Sequence, residues 1–384
     1  MALRSLLFAV GLGTLWGGCK TSLGRLPDSA AAAAAFSPNE PRILVLPPHR
    51  MYTWDLEARR IVRDRSIAQA QAGIAFSPSG TFVVLAAQEL DDRRVAVSLL
   101  RTRDGETVLA RELRDGGVVT DYWYTKRTEQ ILAATDDGRW LASYDLGTGE
   151  LEIVAVADGS TALRAPLAGY FQRIAFDARG DRLFASTEAA DQHTVLIVAL
   201  SGGKWAPAAT LDGALHPAWT AKGLSFMTAR GLEMWDGGAA RLVFPKDPEL
   251  NLQPDGPEPP WRFSPDGAFC LLWSDHRFVV RETASGAIIA ARDVDAAGTP
   301  AVWAAAFVPG RVRALLATGE FVEVELAARS IARRASFGRP GHYAKNWFQD
   351  GSSWQTRYTA LLSPTGRYLA IFKRDIGYEI FLME

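Results

Sequence analysis

Short apolar runs rich in Val, Ile, Leu, Phe and Trp alternate with tight clusters of Gly, Asp, Ser and Pro through almost the whole chain. β-Branched and aromatic residues suit a pleated, half-buried surface, and the intervening residues supply turn conformations, so the pattern predicts β-hairpins. Eight pairs of runs are visible: "ILVLPP" with "MYTWDLEA", "FVVLAAQ" with "VAVSLLRTRDG", "ILAAT" with "WLASYDLGTG", "RLFAST" with "TVLIVALSGG", "GLSFMT" with "LEMWDGG", "FCLLWS" with "FVVRETASG", "VRALLAT" with "FVEVELAAR", and "YLAIFK" with "YEIFLME". The runs are nearly continuous in apolar character rather than strictly alternating, which is the mark of strands buried on both faces.

A turn precedes most of these hairpins in fixed register. It reads "FSPDG" at 263–267, "FSPSG" at 76–80, "FDARG" at 176–180 and "LSPTG" at 362–366, with degraded copies "FSPNE", "WTAKG" and "FVPGR". The landmarks Phe176, Trp219, Phe263 and Phe307 fall 43, 44 and 44 residues apart, the period of a propeller blade. A small sheet cannot bury its own apolar faces, and a ring of such sheets does so by mutual packing. Seven candidates for a fourth strand follow: "RRIVRD", "ETVLAREL", "ELEIVAV", "WAPAATL", "ARLVF", "AIIAARDV" and "SIARRASF". The eighth hairpin has none after it, so a strand from within residues 22–36 is needed to complete the last blade. The predicted fold is an all-β propeller of four-stranded blades over 36–384, eight in number, with the ring closed by N- and C-terminal strands; seven blades is the alternative.

The Trp-Asp pairs in "YTWDLEA" and "LEMWDGG", together with "SYDLGTG", resemble the third strand and turn of WD-repeat propellers. "FSPDG" and "LSPTG" resemble the first turn of that family and of bacterial periplasmic propellers of the Tol type. The Gly-His dipeptide of eukaryotic WD repeats is missing, which places the resemblance with the divergent bacterial branch. It implies a fold and says little of function, since such propellers are mostly interaction platforms and sometimes enzymes.

Composition narrows the classes. Forty-two Lys and Arg against 43 Asp and Glu give a formal charge of -1, so no global field attracts nucleic acid or an anionic membrane. The first residues differ from the rest: Arg4 stands before an apolar run from Leu6 to Trp16, and Gly17 and Gly18 precede Cys19. That run is too short to cross a bilayer and reads as an export signal over 1–18. The small residues before Cys19 resemble the lipobox of bacterial lipoproteins, whose cysteine becomes the lipidated first residue. Trp16 stands where that family usually has Leu. On this reading 19–35 is a lipid-anchored tether and the protein sits on an envelope membrane, periplasmic or surface side; plain secretion is the alternative. Cys270, in "AFCLLW", is expected to be a small buried hydrophobe with no disulfide partner.

In the strand order of the family, the first-to-second and third-to-fourth turns share one face, and they are short. The other face receives the long insertions at 87–94, 155–170, 245–260 and 337–354. Long loops on a compact scaffold are disproportionately functional. Tyr122, Trp123, Tyr170, Trp261, Trp303, Tyr343, Trp347 and Trp354 lie in or beside these insertions and inner strands, with Arg173, His216, Arg339 and Arg357. Trp, Tyr and Arg are the residues that dominate interface energy, so these are the candidate binding residues; the competing role for each ring is packing between blades.

Catalytic patterns are absent from the sequence. The five histidines are isolated, and there is no HExxH, GxSxG, phosphate-cradling loop or acidic calcium loop. "TDDG" and "SPDG" are turn chemistry. Two readings follow. The first is a non-enzymatic, envelope-tethered, monomeric propeller that binds a protein or peptide through its insertion-bearing face, touching the membrane only by its anchor and needing no cofactor or metal. The second is a propeller hydrolase or lactonase with its active site at the axial mouth of the same face, where Asp121, Arg173, His216, Arg262 and Arg357 are the polar groups available.

Overall fold

A computed structural model describes residues 20–27, 33–37, 41–47, 50–66, 72–88, 95–102, 105–113, 132–145, 148–189, 192–247, 259–295, 300–337, 360–373 and 377–383. All secondary structure among them is β. The thirty-two strands form eight four-stranded antiparallel sheets, each a propeller blade whose first strand is innermost.

The first blade is β2 (Ala33–Phe36), β3 (Arg42–Leu46), β4 (Arg50–Asp55) and β5 (Arg60–Ser66). The second is β6 (Ala72–Phe76), β7 (Phe82–Gln88), β8 (Val95–Arg101) and β9 (Thr107–Leu113). The third is β10 (Leu132–Ala134), β11 (Trp140–Asp145), β12 (Glu150–Ala155) and β13 (Thr161–Pro166). The fourth is β14 (Tyr170–Phe176), β15 (Arg182–Ala189), β16 (Gln192–Ser201) and β17 (Lys204–Asp212). The fifth is β18 (Leu215–Thr220), β19 (Gly223–Thr228), β20 (Gly231–Trp235) and β21 (Ala240–Pro245). The sixth is β22 (Trp261–Phe263), β23 (Phe269–Trp273), β24 (Arg277–Glu282) and β25 (Ile288–Asp293). The seventh is β26 (Val302–Val308), β27 (Arg311–Leu316), β28 (Glu320–Glu325) and β29 (Ser330–Ser336). The eighth combines β30 (Ala360–Leu362), β31 (Tyr368–Lys373) and β32 (Gly377–Met383) with β1 (Lys20–Arg25) from the other end of the chain.

The apolar runs are continuous because successive residues serve different neighbours. In β3, Ile43 and Val45 join the core shared with the eighth blade, while Leu44 packs toward the second. In β23, Cys270 and Leu272 face the fifth blade and Leu271 the seventh. In β31, Leu369 and Ile371 face the seventh blade and Ala370 the first. A period of two is thus present, but both of its faces are buried. Cores of this kind occupy all eight seams of the ring. Cys270 is a fully buried free thiol, and burial pushes its ionisation well above the ordinary range.

Closure runs through β1, which pairs with β32 in the register Lys20↔Met383 to Arg25↔Glu379. This strand begins two residues before the window predicted for it. The segment expected as a tether, 19–35, therefore contributes two strands, β1 and the start of β2, to the propeller itself. Leu23 and Leu26 enter the seam with the first blade beside Tyr52, Tyr368 and Tyr378.

One turn recurs at the outset of most blades. The side-chain oxygen of its first residue accepts the amide five positions on: Ser77 from Phe82 at 3.1 Å, Thr135 from Trp140 at 3.1 Å, Ser264 from Phe269 at 2.9 Å and Ser363 from Tyr368 at 3.0 Å. Gly138 shows why glycine closes it. Its φ is 67°, and a Cβ there would stand 2.4 Å from Phe82 of the preceding blade.

That turn corrects the reading of the third blade. "TDDG" joins the first and second strands, so "ILAAT" is innermost and "WLASYD" is second. The stretch 155–170, read as an insertion, is a tight turn at Asp158 and Gly159 followed by β13, which pairs with β12. The inner strands β22 and β30 are equally short but are marked by "FSPDG" and "LSPTG"; "TDDG" lacks the apolar landmark and the proline of those turns, and "VTDYWY" upstream has the stronger β composition.

A polar seam breaks the apolar rule between the seventh and eighth blades. Glu323 is 2% exposed and is held by Arg313 at 2.9 Å and Arg334 at 2.7 Å. Arg313 also donates to the carbonyls of Gly366 and Met383 at 3.1 and 3.2 Å, clasping the closing blade. Burial raises the Glu323 pKa, but the hydrogen bonds from the two guanidinium groups outweigh it and leave the carboxyl below its ordinary value.

Candidate functional site

Antiparallel order fixes which connections share an end of the ring. First-to-second and third-to-fourth turns lie at one end, and all are short. Second-to-third turns and blade-to-blade connections lie at the other, and the longest connections, 114–131, 246–260 and 337–359, all belong to it. The face asymmetry expected from the sequence therefore holds, with 114–131 in place of 155–170. "GTG" at 147–149, counted among the short-face turns, lies on the insertion-bearing side.

At that end the inner strands of three blades depart from regular pairing. The ladder slips between Phe171 and Arg173 in β14, between Leu215 and Ala218 in β18, and between Val302 and Ala304 in β26. The supernumerary residues are Gln172, His216 with Pro217, and Trp303. A bulge bends its strand and re-aims a side chain, and such bulges are over-represented beside functional sites. Here they stand at equivalent places around the axial mouth, where the long connections arrive.

Each bulge presents different chemistry. Gln172 Nε2 donates to Glu188 Oε2 at 2.8 Å, and His193 Nε2 stands 4.0 Å from Glu188 Oε1. His216 has a φ of 50°, in the left-handed region where any Cβ meets a steric cost. Its imidazole meets Trp261 edge-on, with centroids 6.3 Å apart. Trp303 is half-buried against the seam of the sixth and seventh blades, and its enclosed indole N–H has no hydrogen-bond partner among the described residues. The indole N–H groups of Trp140 and Trp205, at the short-turn end, are enclosed without a partner among the described residues in the same way, so this feature is not peculiar to the mouth.

The other sequence candidates divide. Trp261 is 4% exposed and donates to Ser225 Oγ at 3.1 Å, so its ring fills a seam between blades and offers a partner little surface. Arg173 is half-buried, with its carbonyl accepting from Ser186 at 3.3 Å. Arg262 is exposed and reaches the Ala305 carbonyl on the next blade. Tyr170 opens β14, with only its backbone described. Tyr122, Trp123, Arg339, Tyr343, Trp347, Trp354, Arg357 and Cys19 lie outside the described residues. Sequence reading had singled out His216 and Trp303 for residue type, but not Gln172 or Glu188, whose significance comes from the bulge. Among the described residues no group of three His, Cys, Asp or Glu side chains is placed to hold a metal ion. His276 pairs instead with its neighbour Asp275 at 2.6 Å in a surface turn.

The fold and this mouth define the class: an eight-bladed, WD40-like β-propeller. The C-terminal WD40 domain of Sif2 superposes with a TM-score of 0.64 at 13% identity, covering 95% of this chain and 98% of that one. The computationally designed Ika8 protein gives 0.60 at 14% identity over 94% and 99%. BamB from Moraxella catarrhalis gives 0.55 at 10% identity over 95% and 98%. Identities this low establish shared architecture alone. No protein-family model matches the chain, and no curated protein matches it.

Proposed function

We propose that this protein is a non-enzymatic binding scaffold, tethered to a bacterial envelope membrane through Cys19, that captures a protein or peptide partner at the insertion-bearing mouth of its propeller. The observation that carries the reading is the coincidence at one end of the ring of every long connection with three bulged inner strands. Short turns at the other end show that the fold needs no such lengths to close. The mouth offers a hydrogen-bonding amide at Gln172, a constrained imidazole at His216 and the half-buried ring of Trp303, a set suited to a polypeptide backbone and its side chains. The likeness to WD40 and BamB propellers is consistent with this role.

Replacing 337–354 by a short Gly-Ser link tests the reading. Loop length changes closure entropy by only about 0.6 kcal/mol per doubling, so folding is expected to survive while partner capture per folded molecule falls. Unfolding of the shortened chain with undiminished capture overturns it. Anchoring is tested separately: Cys19→Ala is expected to move the protein from the detergent to the aqueous phase, and unchanged partition rejects the lipoprotein reading.

A further inference from the structure

The balanced net charge conceals a local asymmetry. On the outermost strands of the seventh, eighth and first blades stand Arg333 and Arg334, Lys20 and Arg25, and Arg60, Arg63 and Arg65, with Asp64 the single acid among them. Residue 19 immediately precedes β1, which starts at the short-turn end of the eighth blade, opposite its partner Met383. The basic outer strands are therefore grouped about the point where the anchor of the proposed function enters the ring.

Two arginines in this region stand where the backbone prefers glycine. In six blades a left-handed residue closes the third-to-fourth turn: Gly105, Gly159, Gly203 and Gly286 in the second, third, fourth and sixth, but Arg59 (φ 53°) in the first and Arg329 (φ 51°) in the seventh. Glycine takes this conformation freely, whereas an L side chain pays a steric penalty. The two exceptions flank the closing blade and both carry exposed positive charge. Neither makes an ion pair among the described residues. Among the described residues Lys20 meets the Ser336 carbonyl and the Phe337 ring and no carboxylate. Arg367, on the first turn of the eighth blade, also faces this end and is 56% exposed; its partner at 3.6 Å is the equally exposed Glu57, the acid that offsets the patch.

We infer that the short-turn edge of the seventh, eighth and first blades is an electropositive surface that docks on anionic lipid headgroups, with Lys20, Arg59, Arg60 and Arg329 as its charges. Protection of sheet edges against pairing explains arginines along outer strands in general. It does not explain arginine in a turn position that glycine fills elsewhere in the same ring. A bilayer is the partner favoured because Lys20 directly follows Cys19, the anchoring residue of the proposed function. Docking by this edge turns the insertion-bearing mouth away from the membrane, leaving it open to a partner. The inference rests on the tethered reading for its orientation, but the surface itself is testable without the anchor.

The test uses the chain from residue 19 with Cys19→Ser, so that the apolar run Leu6–Trp16 is absent, floated with vesicles of phosphatidylcholine alone or containing about one-third phosphatidylglycerol. Binding is expected only to the anionic vesicles and to weaken with added salt. Arg59→Gly with Arg329→Gly is expected to reduce it about fivefold for each arginine removed, while the melting temperature stays level or rises because the left-handed positions are relieved. Equal binding to neutral and anionic vesicles overturns the proposal, as does binding unaffected by the two glycines. A fall in melting temperature on introducing the glycines assigns the arginines a structural role and overturns it too. Failure of Cys19→Ala to leave the membrane phase bears on the anchor alone, so the two readings fail separately.

Discussion

Closure of the ring by β1 makes Leu23 a test of how the propeller is held together. Leu23 is the one buried residue of β1, 9% exposed, and packs with Leu26, Tyr52, Tyr368 and Tyr378 in the seam of the eighth and first blades. Leu→Ala at a buried site costs about 2 to 5 kcal/mol, and an outer strand that relaxes readily belongs near the lower end, about 2.5 kcal/mol. The loss falls on the element that joins the chain ends, so it appears first as local opening of the eighth blade. Opening exposes Arg25, the last residue of β1, to trypsin. When reclosing is fast, cleavage follows the open population, which about 2.5 kcal/mol raises roughly 70-fold. Urea unfolding measures the global cost in parallel. Val62→Ala on β5, at a side chain 42% exposed, is the control and is expected within about 0.5 kcal/mol of the parent. Cleavage at Arg25 no faster in Leu23→Ala than in the control refutes the claim that this contact closes the ring.

Two further expectations follow from the seams and the mouth. Glu323 is held below its ordinary pKa of 4.5, so its clasp on Arg313 and Arg334 stabilises the fold above that value and is lost as pH falls through the lowered one. Acid titration of parent against Glu323→Gln, followed by intrinsic fluorescence, is expected to show two curves that converge as pH falls through the lowered pKa; parallel curves remove the carboxylate from the account. His216→Gly relieves a left-handed backbone and is expected to leave stability level or to raise it by up to about 1 kcal/mol in urea, while partner capture falls. A destabilised variant with intact capture makes His216 a packing residue.

The architecture was legible because its causes are local and repeated. A Ser, Thr or Asp that caps its own turn, a glycine three residues on and an apolar run on either side recur in register, as in "FSPSG" and "FSPDG". The third blade escapes that pattern because its turn, "TDDG", lacks the apolar landmark and the proline that mark the equally short inner strands β22 and β30, while Leu132–Ala134 is held in place by Tyr144, Phe171 and their neighbours in the seam. Tethering residues 19–35 hid β1 because "KTSLGR" is polar and exposed at all but Leu23, as an outer edge strand is free to be. The mouth was legible only in part. Insertions and aromatics mark its face, but bulges depend on pairing across strands, so Gln172 and Trp303 look alike in sequence to residues in regular ladder positions. The left-handed arginines were equally silent, since "LEAR" and "LAAR" read as ordinary polar turns.

Partner capture at the insertion-bearing mouth is tested most directly by photo-crosslinking in intact cells. A photoreactive residue at Gln172 or Trp303 reports on the mouth, and one at Ser285, in the third-to-fourth turn of the sixth blade, reports on the opposite end. The account predicts one discrete adduct of the same mass from both mouth positions and none from Ser285. An adduct from Ser285, with neither mouth position labelled, places the partner on the wrong face and contradicts it.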